Sequence, residues 1–135
     1  AGTSATVDFI ADLVPGRGER RERLVTAMAA VQSHEDRLFA RLTYGLERLD
    51  GVTVHGRPER RTPTVLFTVR DRSPQAVHER LAERDVNAPA GSFYAIEAAR
   101  RLGLGDIGAV RAGLAPYTDD EDVDRLLAGV TELCG

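Results

Sequence analysis

AVRAGLAPYTDDEDVDRLL, residues 109–127, is the stretch on which the fold turns. In its first half Val110, Ala112 and Leu114 alternate with Ala109, Arg111, Gly113 and Ala115, the two-residue period of a strand with one apolar face. After Pro116 the period lengthens, and Val123, Leu126, Leu127, Val130 and Leu133 mark one side of a helix. Thr118 with Glu121 predicts a capping box for that helix. The acids Asp119 to Asp122 suit the positive end of its dipole, so they read as capping rather than as a metal site. The strand thus offers one face to a helical layer, while the other holds small residues around a single arginine.

Working outward, TPTVLFTV (62–69) and VTVHG (52–56) alternate in the same way and predict a hairpin-like pair across the polar loop RPERR. Leu24, Met28, Val31, Leu38, Leu42, Leu46 and Leu49 keep helical spacing, predicting a helix from about Glu19 to Leu49, roughly 45 Å at about 1.5 Å per residue. A helix this long packs along a sheet face or reaches a second body. Ser4 or Thr3 predicts the cap of a first helix carrying Val7, Ile10, Leu13 and Val14, stopped by Pro15-Gly16. Ser73-Pro74 predicts the start of another helix running to about Arg84, Val86–Ala88 a short strand, and FYAIEAARRLGLG (93–105) a further helix. The sum is an α+β, two-layer domain: a small, mostly antiparallel sheet covered by helices on one face.

With 135 residues, 42% hydrophobic and 29% charged, the chain suits one globular domain with a modest core. A formal net charge of −3 with interleaved signs gives no basic stripe for nucleic acid and no polybasic membrane patch. The acidic opening AGTSATVDFIADLVPG lacks a signal-peptide layout, and a cytoplasmic protein is expected. Cys134 stands alone, so it supports neither an internal disulfide nor a metal cluster. All 18 basic residues are arginine. A lysine amine is the side chain that condenses with an aldehyde, and a guanidinium cannot replace it, so Schiff-base chemistry on a side chain of this sequence is excluded.

The order of elements, the opening Gly2-Thr3, the loop PAGSFYAIEAARRLGL (89–104) and the segment VRAGLAPYTDDEDVDRLL (110–127) together resemble the C-terminal end of class V aminotransferase-fold proteins, nearest to a cysteine-desulfurase-like subgroup. The resemblance implies that residues 1–135 form the C-terminal small domain of a fold-type-I enzyme using pyridoxal phosphate (PLP). The large domain, with the PLP lysine, is then expected upstream. It implies a homodimer acting on an amino acid, with PLP in the full-length protein, none in this chain alone, and no activity of the chain by itself. Arg111 matches the arginine that holds the substrate α-carboxylate, beside Gly91 and Ser92. Gly2 and Thr3 match a glycine-threonine turn that reaches the PLP phosphate of the partner subunit, although a helix cap would read the same way. Two positions depart from the desulfurase pattern. Tyr94 fills the place of the loop cysteine, and Pro89 that of a second arginine.

Arg111 read without the resemblance is a solvated or ion-paired strand arginine. The alternative for the whole chain is a stand-alone, non-enzymatic ligand-binding or dimerisation domain. A self-contained hydrolase has the least support. His34, His55 and His78 fall on different elements, as two helix-surface residues and one strand-end residue, and Ser92 has no base beside it. Because the sequence has no lysine, incubation with PLP followed by borohydride should give no reduced adduct on an internal residue. Peptide mass mapping checks this, and a stoichiometric internal adduct would overturn it.

Overall fold

The computed structural model describes residues 2–135. Two helices open the chain, α1 (Gly2–Ala11) and α2 (Arg20–Glu47), and α1 packs against α2. Thr3 and Ser4 lie inside the first turn of α1 rather than capping it. Thr6 Oγ1 already donates to the Gly2 carbonyl at 3.1 Å, and Ser4 Oγ instead accepts from Arg20 at 3.3 Å. α1 also ends at Ala11, before Pro15-Gly16 is reached. α2 starts where expected, with the Glu22 carboxylate accepting from the Glu19 amide at 3.3 Å.

Leaving α2, the chain forms β1 (Val52–His55) and β2 (Thr64–Val69), then α3 (Pro74–Ala82), β3 (Ala90–Gly91), α4 (Ile96–Arg101), β4 (Ala109–Gly113) and α5 (Asp120–Cys134). The strands make one antiparallel sheet in the order β1-β2-β4-β3. Val65 sits opposite Ala112 and Phe67 opposite Val110, so the apolar positions of the two central strands share a face. That face is covered by Leu38, Leu42 and Leu46 of α2, Val77 and Leu81 of α3, and Val123, Leu126 and Val130 of α5, all buried with Phe67 at the centre. The expected two-layer α+β architecture is therefore the observed one. Gly45 and Gly129 let α5 lie close: a Cβ at 45 would come 2.6 Å from a Leu127 methyl, and one at 129 would come 2.7 Å from a Leu81 methyl.

Three local expectations are corrected. The short strand is Ala90–Gly91, not Val86–Ala88, because Ala88 is packed into the core and its carbonyl faces His78 Nδ1 at 3.0 Å. The predicted helix over 93–105 shrinks to Ile96–Arg101, because Phe93 and Tyr94 take left-handed backbone angles, φ 52° and 63°. α5 is capped by Asp119, whose carboxylate accepts from the Asp122 amide at 3.0 Å while that of Asp122 accepts from the Asp119 amide at 3.2 Å. Thr118 is occupied in the turn before it, its hydroxyl accepting from the Ala115 amide at 2.9 Å.

The C-terminal half of α2 is sunk in the core, whereas Val25 and Met28 in its N-terminal half are exposed, as is Phe9 of α1. Among the described residues no helix is long and apolar enough to cross a membrane. Phe67→Ala should cost about 3–5 kcal/mol through the cavity it leaves. Ser73→Ala should cost about 1 kcal/mol by removing the hydroxyl that accepts from the Ala76 amide at 3.1 Å. Urea unfolding checks the order: the midpoint should fall far more for the first variant than for the second.

Candidate functional site

The face of the sheet turned away from the helices is set by register. His55 of β1 lies opposite Leu66 of β2, and Leu66 opposite Arg111 of β4, so these side chains leave the sheet on the side opposite Phe67 and Val110. Arg111 is exposed there, as the strand alternation requires. Its amide is held by the Pro89 carbonyl at 2.9 Å. Among the described residues its side chain makes no ion pair and no hydrogen bond.

A tight loop beside β4 shapes the surroundings. Gly108 has φ 73°, and a Cβ on it would collide with the Gly91 carbonyl and lie 2.5 Å from the Ser92 amide nitrogen. Only glycine lets the two backbone segments touch. Gly91, at φ 145°, pairs with Ala109, and the Ser92 carbonyl accepts from the Ala95 amide at 2.9 Å, closing the turn that carries Phe93 and Tyr94. Gly91, Ser92 and Arg111 are thus brought to one end of the sheet. The expectation that only small residues surround Arg111 is corrected by Phe93, whose ring lies under the guanidinium with the Cζ atom 4.1 Å from the ring centroid. Sequence reading missed Phe93 because a Phe-Tyr pair leading into Ala-Ile-Glu-Ala-Ala has the pattern of a helix start. The signal for a turn was the preceding Gly91-Ser92. Tyr94 projects fully into solvent.

Gly2 and Thr3 are not part of this cluster. They stand exposed in the first turn of α1, and among the described residues no hydrogen bond or ion pair joins α1 to the sheet. The histidines do more than the expected surface roles. His34 Nε2 meets the Thr118 carbonyl at 2.7 Å, and His78 Nδ1 meets that of Ala88, so both tie helices to loops. His55 Nε2 lies 3.0 Å from Thr68 Oγ1 on the open face, and burial pushes its pKa below the ordinary 6.5. Among the described residues no cluster of three metal-ligating side chains occurs.

The acidic start of α5 is held by arginine. Arg37 donates to Asp120 at 2.8 Å and Arg41 to Asp124 at 2.6 Å, and the bond from Arg37 holds the Asp120 carboxyl below its usual range. Cys134 lies at the other end of α5, near Arg70 and Arg72. Burial raises the pKa of its thiol, so it carries little thiolate at neutral pH.

The family model for class-V aminotransferases matches residues 22–126, a span that runs from α2 through the Arg111 strand into α5. The chain belongs to the class V aminotransferase family. An uncharacterised protein of Mycobacterium tuberculosis is 35% identical over 98% of this chain and 33% of its own length. A probable cysteine desulfurase of Pseudomonas putida is 31% identical over 92% of this chain and 27% of its own length. The apo structure of a cysteine desulfurase from Thermococcus onnurineus superposes with a TM-score of 0.75 at 26% identity, covering 84% of this chain and 28% of that one. The chain spans about a third or less of the length of the relatives it matches. The two-layer fold read from the sequence is therefore the small α+β fold found within these class V relatives.

The lowered His55 pKa has a thermodynamic sign. Below pH 6.5 the unfolded chain binds a proton that the folded chain still refuses, so stability is lost as pH falls from 6.5 to the lower folded value, and is fully present above 6.5. NMR titration of the folded chain should place the His55 midpoint under 6.5. His55→Gln should flatten that limb of the stability profile.

Proposed function

We propose that this chain is the C-terminal domain of a PLP-dependent class V enzyme that acts on an amino acid, and that it contributes Arg111 as the group binding the substrate α-carboxylate. The observation that carries this reading is Arg111 itself. Among the described residues it is the one arginine that lies within a strand, and it stands exposed on the open sheet face with no acidic partner. An unpaired guanidinium keeps its planar fork available for a carboxylate, which it meets through two parallel hydrogen bonds.

The residues present suit one share of a PLP site. No lysine is available for the cofactor aldehyde, but Arg111 matches a substrate anion, and the exposed first turn of α1 matches a phosphate. PLP, when bound, supplies the electron sink for breaking a bond at the amino-acid α-carbon. Arg111 orients the substrate by its carboxylate, and the Gly91-Ser92 backbone lets the substrate approach the sheet closely. Thr3 and the first-turn amides beside Gly2 offer donors to a phosphate. Following the family resemblance of the Gly2-Thr3 turn, we assign Gly2 and Thr3 to the cofactor held by the other subunit of a homodimer. The curated relatives are about three times as long as this chain or longer, and their additional length is the natural source of the lysine.

Sulfur relay through the loop is not part of this reading. Tyr94 occupies the place where the desulfurase pattern has a cysteine, and Cys134 lies at the end of α5 with its thiol pKa raised. In the full-length protein Arg111→Lys should lower kcat/KM for amino acids by about 1.5–3 kcal/mol of transition-state binding, since a point-charge ammonium cannot reproduce the fork. PLP affinity and the reaction of decarboxylated amines should be unchanged. Steady-state kinetics with paired substrates checks this, and equal losses on acid and amine would refute the assignment.

A further inference from the structure

Three arginines lie over aromatic rings: Arg48 over Tyr44, Arg61 over Phe39, and Arg111 over Phe93. Arg48 also donates to the Tyr44 hydroxyl at 3.2 Å, and Arg61 to the Thr64 carbonyl at 2.9 Å, so part of each fork is used within the protein. Arg111 is stacked at 4.1 Å with its N–H edge unused among the described residues. The difference has chemical content. A ring under the guanidinium engages its face, whereas a carboxylate engages its edge, so the two contacts do not compete. An acidic neighbour would restrain Arg111 equally well but would consume that same edge.

The backbone is shaped to deliver the ring. Phe93 and Tyr94 are consecutive non-glycine residues with left-handed φ, a conformation disfavoured for side chains with a Cβ. The close approach of Gly108 to Gly91 and the Ala95-to-Ser92 hydrogen bond fix the turn in that shape. The turn places the Phe93 ring against the Arg111 guanidinium and leaves Tyr94 in solvent.

We propose that Phe93 is a positioning residue for substrate binding: its ring holds the guanidinium plane of Arg111 so that the open edge is preset for the planar α-carboxylate of an amino acid. The inference rests on the carboxylate role given to Arg111 above and adds the residue that orients it. An unstacked arginine side chain must be immobilised by the substrate, and the stacked one has lost that freedom already.

The test uses the PLP-loaded full-length protein with Phe93→Leu, Phe93→Tyr and Arg111→Lys, and L-cysteine against cysteamine as the carboxylate-bearing and carboxylate-free probes, followed by the change in cofactor absorbance. Phe93→Leu should raise the half-saturating L-cysteine concentration about three- to five-fold, the size of a modest cation–π contact, with the limiting rate within about two-fold and cysteamine unaffected. Phe93→Tyr keeps a ring and should restore wild-type behaviour. A readout independent of the cofactor is the Arg111 Nε–H resonance of the 135-residue chain, which should be shifted upfield by the ring in the wild type and Phe93→Tyr but not in Phe93→Leu. If Arg111→Lys is selective for L-cysteine while Phe93→Leu is silent, or if Phe93→Leu leaves the Nε–H shift in place, the positioning role of Phe93 is wrong and Arg111 stands. If Arg111→Lys affects both probes equally, or neither probe changes the absorbance, the Arg111 reading itself fails and takes this inference with it.

Discussion

The pairing of β2 with β4 is the constraint on which the remainder of the molecule depends. With Val65 opposite Ala112 and Leu66 opposite Arg111, one register assigns every side chain of the two central strands to a face. A slip of one residue would drive the guanidinium into the apolar layer now filled by Leu42, Leu81 and Leu126, where an unpaired charge costs several kcal/mol. The burial of Phe67 and Val110 under three helices therefore does two things together. It supplies the apolar area that stabilises the domain, and it obliges Arg111 to stand on the open side.

From that constraint the site is assembled by short-range devices rather than by the core. Gly108 brings two backbone segments into contact, β3 is only two residues long, and the turn after it carries two left-handed residues. Such a segment is held by a few contacts, so its form is easily retuned without disturbing the sheet. The helical face is the opposite case: Gly45 and Gly129 bring α5 close to α2 and α3, and arginine-carboxylate pairs such as Arg41 with Asp124 border the packed layer. These surface pairs add little stability individually, and their value lies in fixing how α5 meets α2.

Membership of the class V aminotransferase family gives this division a chemical sense. A helix-covered sheet with one bare face is suited to closing over something else, and the exposed Val25 and Met28 on the first half of α2 are suited to packing against additional chain. The chain matches about a third or less of its relatives' length, and the division of labour proposed above leaves the anion to its own Arg111 and the covalent chemistry to the remaining length. The lack of lysine in the sequence makes that division of labour a chemical necessity.

Much was legible from sequence because periodicity is a local consequence of burial. The alternation of residues 109–114 and 62–69 and the three-and-four spacing along α2 and α5 gave the layers, the hairpin and the open position of Arg111, all of which the structure bears out. Where two neighbouring groups compete for the same job, local pattern was a poor guide: Asp119 rather than Thr118 caps α5, because Thr118 is spent on the Ala115 amide, and Ser4 is inside α1 rather than at its start. The turn at 91–95 had one local signal, Gly91-Ser92, and was otherwise decided by tertiary structure. Its later residues have helical pattern, and the contact of Gly91 with Gly108, distant in sequence, joins the Ala95-to-Ser92 hydrogen bond in holding Phe93 and Tyr94 at left-handed angles. That contact also sets Phe93 against Arg111, a pairing between residues on different elements that no periodicity encodes, because it depends on where the sheet places both ends of the loop.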